Sequence, residues 1–528
     1  MCSDLGRCAC NDVAGVQRHA PLATDAQQNA DDACGCDGSG QGALPRVRFA
    51  GASKSPRPPR LVGGMRNAMR IAARTLGATR RQCGSTVPVP GIPVVSGGAL
   101  SLLVVAALVL GGCVSSTQRA STSPVGGQST STPGERAETG TPAAAQTAHL
   151  ERVVVVFRHG VRAPLQGEAA AAHYADQAWP HWSTPASLLT PRGRKGVRLS
   201  GEYLRQWLVQ QALLPNGGCP ATGSVSVWAN TDQRTIDSGA LLADALAPGC
   251  GIAARHREAG SDDPLFRPIE AGAVPFDAVA AVASIQQQTG GPAALLQGHT
   301  AELQALQQIL GCTRTPCDFA RMPSKLTPSA NGRGLVLGGP IDLTSGTGEV
   351  LLLQYADGLP LSQVGWGRAT PERLAQVSRL HALLFDIYAR PHYMAARSGA
   401  PLAREVLQRF GDAQAPKVSL FVGSDTHIAA LSSLLGVHFH LPGYGADDPP
   451  PGGALLLGLW RQPDGTRVVR ARYLAQSLDQ LRTLAPLDLA HPPLQQELAL
   501  EICAPDQRMT CPLPAFAQAL ETQLMLDP

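Results

Sequence analysis

Charged side chains make up only 16 % of this 528-residue chain and aromatic ones 4 %, and its formal net charge is only +4. No strong field of one sign is available to hold a nucleic acid, and no basic stripe is interleaved with aromatics, so a nucleic-acid partner is not expected. Long apolar runs are equally scarce. The one stretch apolar enough to enter a bilayer, residues 99–110, is shorter than the roughly 20 residues a spanning helix needs, which excludes a multi-pass membrane protein. Glycine and proline, by contrast, number 56 and 43. Part of the chain therefore builds no core, while the 44 % hydrophobic share leaves room for one large globular domain.

Residues 1–64 carry Cys2, Cys8, Cys10, Cys34 and Cys36 among small and polar residues, with no apolar period of 2 or 3.6 and no zinc-type spacing. This reads as disorder or as translation assigned too far upstream, with Met65 or Met69 as the start. After either methionine, Arg66, Arg70, Arg74, Arg80 and Arg81 form a basic leader before the apolar run, which closes on Leu110-Gly111-Gly112-Cys113. Small residues before a cysteine at the end of a short apolar segment resemble the bacterial lipobox, which implies lipidation at Cys113. An ordinary secretory peptide or a lone membrane anchor are the competing readings of 65–113. Each leads to export, to the periplasm or cell envelope, with membrane contact only through the N-terminus. Residues 114–147, rich in Ser, Thr, Gly, Pro and Ala, read as a disordered tether.

Beyond Cys113 an even number of cysteines remains: Cys219, Cys250, Cys312, Cys317, Cys503 and Cys511. Three disulfides suit an oxidising compartment. Several pairings are open in principle; spacing favours Cys312–Cys317 and Cys503–Cys511, leaving Cys219 and Cys250 to each other. No two ligand pairs stand at metal spacing, so no metal is expected.

From His149 onward strands and helices alternate without an internal repeat, and 148–528 reads as one α/β domain with a sizeable insertion. The run Arg152-Val153-Val154-Val155-Val156-Phe157 is continuous and β-branched, as in a strand buried on both faces of a mostly parallel sheet. Arg158-His159-Gly160-Val161-Arg162-Ala163-Pro164 follows, at the carboxyl end where open α/β sheets bind ligands. Guanidinium groups grip phosphate oxygens by paired charge-assisted hydrogen bonds, and a neutral imidazole between them is a nucleophile for phosphorus. A satisfied histidine beside solvated arginines is the plainer alternative for these residue types taken singly.

The string Arg-His-Gly-x-Arg-x-Pro resembles the signature of the histidine acid phosphatases. The resemblance implies a nucleophilic His159 and phosphate-binding Arg158 and Arg162. The segment Val225–Thr235 resembles the one supplying a third phosphate-binding arginine, here Arg234. At Gly423-Ser424-Asp425-Thr426-His427 the family carries His-Asp. Asp425 matches the proton donor to the leaving group, whereas Ser424 stands in place of a phosphate-binding histidine and places no charge there. His427, where relatives often have asparagine, is a candidate to compensate.

The resemblance spans essentially all of 148–528 and is nearest to the bacterial periplasmic branch of phytases and glucose-1-phosphatases. Trp179-Pro180-His181-Trp182, Leu189-Thr190-Pro191-Arg192-Gly193, Gly365-Trp366-Gly367-Arg368 and Pro450-Pro451-Gly452-Gly453 agree with it. It implies a central, mostly parallel sheet flanked by helices, a mainly helical cap at about 274–402, and the disulfides Cys219–Cys250, Cys312–Cys317 and Cys503–Cys511. Phytases of this branch follow the signature with Thr-Lys; here Leu165 and Gln166 stand there, which puts a preference for inositol hexaphosphate in doubt.

The expected function is an exported acid phosphatase that needs no cofactor, acts as a monomer on a small phosphomonoester, and favours acid pH because Asp425 must be protonated. A degenerate or attenuated phosphatase that binds phosphorylated ligands is the alternative suggested by Ser424. A phosphoryl-transferring mutase fits the leader poorly.

Overall fold

The computed structural model describes residues 147–525. The expectations for the leader, for Cys113 and for the tether before Thr147 lie outside the described residues.

The described residues begin with β1 (His149–Arg158) and α1 (Pro191–Gln210), followed by β2 (Val225–Ala229), α2 (Gln233–Leu246) and the short β3 (Ala254–Arg255). A largely helical stretch comes next: α3 (Ala278–Thr289), α4 (Pro292–Leu295), α5 (Thr300–Leu310), a hairpin of β4 (Lys325–Pro328) and β5 (Leu335–Gly338), then α6 (Pro340–Ala356), α7 (Pro371–Tyr388), α8 (His392–Ser398) and α9 (Ala400–Gly411). The chain then re-enters the main sheet through β6 (Val418–Gly423), α10 (Asp425–Leu435), β7 (Ala454–Arg461), β8 (Arg467–Ala475), α11 (Leu478–Thr483), β9 (Leu494–Leu498), β10 (Cys511–Pro512) and α12 (Leu513–Met525).

Strand order in the main sheet is β10-β8-β7-β1-β6-β2-β3, with β9 also paired to β8. The expected parallel core is present, since β1 and β2 both run parallel to β6, and β3 parallel to β2. The sheet as a whole is mixed: β7, β8, β9 and β10 extend it antiparallel beyond β1. The hairpin that turns at Gly465 between β7 and β8 imposes that direction, because so short a connection cannot cross over to a parallel partner.

The continuous apolar run of β1 serves two cores. Val153, Val155 and Phe157 pack with α1 and α2 residues such as Leu204 and Leu242. Val154 and Val156 point to the opposite face, into the larger core that includes Ile428 and Leu431 of α10. Period-2 alternation thus places every residue of the run in an apolar layer. All three expected disulfides are formed: Cys219–Cys250, Cys312–Cys317 and Cys503–Cys511.

The register Arg158↔Gly423 and Ala229↔Val422 brings the carboxyl ends of β1, β6 and β2 to one edge of the sheet. The loop after β1 is seated there by the first turn of α1. Thr190 caps that helix through Oγ1, which accepts the Gly193 N–H at 2.8 Å and donates to Asp357 at 2.6 Å. Its own N–H bonds the Val161 carbonyl at 3.0 Å. Gly193 lies so close to the Val161 carbonyl that a Cβ there collides with it. Gly193→Ala is therefore expected to lower stability by about 1–3 kcal/mol through forced displacement of the loop, against the gain in helix propensity that alanine normally brings. Thermal melts check this; an unchanged or raised melting temperature contradicts the close seating.

Candidate active site

Each motif side chain comes from the end of a parallel strand. His159 follows β1, Arg234 lies in the first turn of α2 after β2, and Ser424 and Asp425 begin α10 after β6. Hydrogen bonds tie these segments together: His159 N–H to Gly423 O at 3.0 Å, Gly452 N–H to His159 O at 3.0 Å, and Gly160 N–H to Ser238 Oγ at 3.2 Å. Ser238 in turn donates to the Arg234 carbonyl, so α2 and the motif loop move as one.

His159 is 2 % exposed. Its Nδ1 lies 2.9 Å from the Gly160 carbonyl, which fixes Nδ1 as the protonated nitrogen and leaves the Nε2 lone pair free. Burial, and then the charges of Arg234, Arg162 and Arg158, push its pKa well below the usual histidine value. The imidazole is a neutral base.

The three arginines are each held by a carboxylate. Arg158 pairs with buried Glu349 and, at 2.8 Å, with Asp425, and donates to the Pro449 carbonyl. Arg162 makes a two-pronged contact with Glu168 at 2.6 and 2.7 Å. Arg234 contacts Asp232 at 3.1 Å, and Asp232 also takes Arg267 at 2.7 Å. Burial draws Arg234 down to about 10, with Asp232 opposing and Arg162 and Arg267 adding to the fall, so it stays charged. In all three arginines Nε is buried without a hydrogen-bond partner. Buried donors are ordinarily satisfied. Arg192, Arg409, Arg470 and Arg508 share this feature at Nε, so what distinguishes the site is three cations around one imidazole, an arrangement suited to a compact anion.

Behind Arg158 lies a charge cluster that sequence reading missed. His381 of α7 bonds Asp448 at 2.7 Å and approaches Glu349 of α6 at 3.8 Å. Burial alone lowers the His381 pKa, but Asp448 and Glu349 outweigh it and raise it to about 9. Burial likewise pushes Asp425 up, yet Arg158, then His381 and Arg162, overcome this and hold it well below the usual carboxylate range. The resting Asp425 is thus ionised, contrary to the expectation that it is an ordinary aspartic acid waiting protonated. The available signal in the sequence was a lone Glu349 ahead of the apolar run Val350–Leu353 and a lone His381 among leucines.

Ser424 and His427 form a pair rather than two pocket groups. His427 Nε2 lies 2.8 Å from the Phe266 carbonyl and so carries the proton; Nδ1 accepts the Ser424 N–H at 2.8 Å, with Ser424 Oγ at 3.2 Å. Both ring nitrogens are engaged, and burial lowers the His427 pKa to about 4. The ring does not present a cation to the arginine cluster. The backbone N–H makes the shorter approach to the Nδ1 lone pair, and the Ser424 hydroxyl stands beside it as an uncharged group. Gln166 is exposed in the turn after the motif. Among the described residues no group of three or more His, Cys, Asp or Glu side chains is arranged to hold a metal ion.

Comparison with known proteins agrees with this geometry. The sequence model of the histidine phosphatase superfamily, branch 2, matches residues 149–308. Phytase AppA of Escherichia coli K12 is 32 % identical over 396 residues, covering 70 % of this chain and 90 % of that protein. Glucose-1-phosphatase of Salmonella typhimurium is 30 % identical over 389 residues, covering 71 % and 92 %. The crystal structure of Hafnia alvei phytase in complex with tartrate superposes with a TM-score of 0.68 at 33 % identity, covering 72 % of this chain and 99 % of that one. At this identity and coverage the kinship is settled: the chain belongs to the histidine phosphatase superfamily, branch 2, as a phosphoric monoester hydrolase of the histidine acid phosphatase type.

Proposed function

We propose that the protein hydrolyses phosphomonoesters in two displacements through a phosphohistidine on His159. The observation that carries the reading is the neutral imidazole with a free Nε2 among three cations whose Nε–H groups have no partner. Nε2 attacks phosphorus and the ester P–O bond breaks, while the phosphoryl oxygens are held by Arg158, Arg162, Arg234 and the Ser424 hydroxyl. Asp425 passes a proton to the departing alkoxide. Water then attacks the phosphohistidine, the P–N bond breaks, the Asp425 carboxylate takes the proton, and inorganic phosphate leaves.

Asp425 is ionised in the resting site, so its proton arrives with the substrate. A phosphomonoester keeps one proton below its second pKa, about 6. Once bound, its charge draws Arg158 away from Asp425 and adds a like charge beside it, and both changes raise the carboxyl's pKa. An acid optimum therefore reflects the protonation of the substrate.

A natural substrate with a single phosphate is the reading supported by Leu165 and Gln166, which offer no cation to further phosphate groups. The helical region at about 274–402 acts as the cap over 148–528, and the enzyme works as a monomer outside the cytosol. The basic leader, the lipobox-like Cys113 and the three disulfides support export. The second reading, an attenuated site that binds phosphorylated ligands and turns them over slowly, is favoured by the uncharged Ser424.

His159→Ala is expected to abolish turnover of an aryl phosphate while leaving the melting temperature within a few degrees; equal turnover by both proteins ends the nucleophile assignment. Ser424→His is expected to raise kcat several tens-fold, because a lost preorganised donor costs roughly 100- to 1000-fold and the serine hydroxyl recovers part of that. No gain means that the charge is not needed.

The His427 pKa is about 4 in the folded chain against the ordinary histidine value of 6.5. A depressed pKa means that the unfolded state takes up the proton first, so its share of stability is complete above about 6.5 and is lost as pH falls toward 4. The loss is on the order of 2 kcal/mol at pH near 4.5. His427→Asn is expected to flatten that acid limb in melts recorded from pH 4 to 7; an identical limb in the variant contradicts the buried neutral ring.

A further inference from the structure

Arg162 is gripped at both terminal nitrogens by one carboxylate, that of Glu168 six residues on in the same loop. Nη2 donates to Glu168 Oε1 at 2.6 Å and Nη1 to Oε2 at 2.7 Å, and Oε2 also accepts the Leu165 N–H at 2.8 Å. This end-on fork uses one hydrogen of each terminal nitrogen. The unpartnered Nε–H and the second hydrogen of Nη2 remain on the other edge.

Glu168 ends a tight turn closed by its N–H on the Leu165 carbonyl at 3.2 Å, with the exposed Gln166 and Gly167 at its tip. The Glu168 side chain is 10 % exposed. Helix α6 fixes this turn from behind. The Glu168 carbonyl lies against Gly346, where any Cβ collides with it, and the Ala171 N–H bonds Thr347 Oγ1 at 3.1 Å. The carboxylate is therefore a positioned charge beside the phosphate site, with no cation at Leu165 or Gln166 to offset it.

We propose that Glu168 is a specificity-determining residue that restricts the site to substrates bearing one phosphate, by offsetting the charge of Arg162 and repelling the further phosphates of a polyphosphorylated substrate. The inference rests on the phosphatase reading above. A like charge beside a second phosphate, in a partly solvated mouth, corresponds to roughly tenfold in affinity.

Wild type, Glu168→Gln and Glu168→Asp are compared on glucose 1-phosphate and inositol hexakisphosphate at low and high salt. Glu168→Gln is expected to raise the ratio of kcat/KM for the hexakisphosphate to that for the monophosphate about tenfold, chiefly through KM, on top of any common loss from loosening Arg162, and to lose most of this gain at high salt. Glu168→Asp, which keeps the charge, is expected to retain the wild-type preference and guards against an effect of misfolding in the first variant. An unchanged ratio between the substrates, or a parallel fall for both, overturns the proposal; the parallel fall makes Glu168 only a clamp for Arg162. Calorimetric titration with inositol hexakisphosphate and with inorganic phosphate reads the same discrimination without turnover. If wild type hydrolyses neither ester, the phosphatase reading falls, and the binding ratio of wild type to Glu168→Gln still decides the role of Glu168.

Discussion

Three guanidinium groups crowded around one imidazole repel one another and lose their hydration, and an arrangement of that kind persists only if each cation has an anion behind it. Glu349 and Asp425 serve Arg158, Glu168 serves Arg162, and Asp232 serves Arg234. Each carboxylate leaves at least the Nε–H of its arginine unused. The cluster is thus close to balanced at rest and still lacks the hydrogen bonds that a phosphoryl group supplies. In the proposed mechanism nucleophile and receptor follow from the same crowding, because burial and then the arginines proposed to bind the anion keep His159 unprotonated.

The fold makes this crowding possible by direction. Parallel pairing of β1, β6 and β2 delivers three segments to one edge, and the α6 and α7 helices approach that edge with Glu349 and His381. Helix α6 has a double task. Gly346 receives the turn that carries Glu168, and Glu349, three residues on and so on the same face of the helix, reaches Arg158. One helix of the largely helical stretch therefore steadies two arginines of the motif loop, which couples the region expected to govern substrate choice to the chemistry.

Much of this was legible in the sequence. The β-branched run before Arg158 reads directly as a strand buried on both faces, and the motif string, the Thr-Asp-Gln-Arg segment and the Ser-Asp turn each follow an apolar strand. Their nearness in space is the ordinary consequence of parallel pairing. The partners of the arginines were not legible, since Glu349 lies 191 residues from Arg158 and no local period marks it. The ionised state of Asp425 and the inward turn of His427 escaped for the same reason: both depend on charges and carbonyls contributed by distant segments, Arg158 and His381 in one case and Phe266 in the other. The antiparallel half of the sheet was missed because a buried β7 reads the same whichever way its neighbour runs.

Rapid acid-free quenching during turnover of an aryl phosphate, followed by peptide mass analysis, tests the central claim most directly. The account predicts a transient phosphoryl group on the peptide containing His159, labile to acid and stable to base, as expected of a P–N bond. A phosphoryl group on the Ser424 peptide, or steady turnover with no labelled histidine at any time, contradicts it.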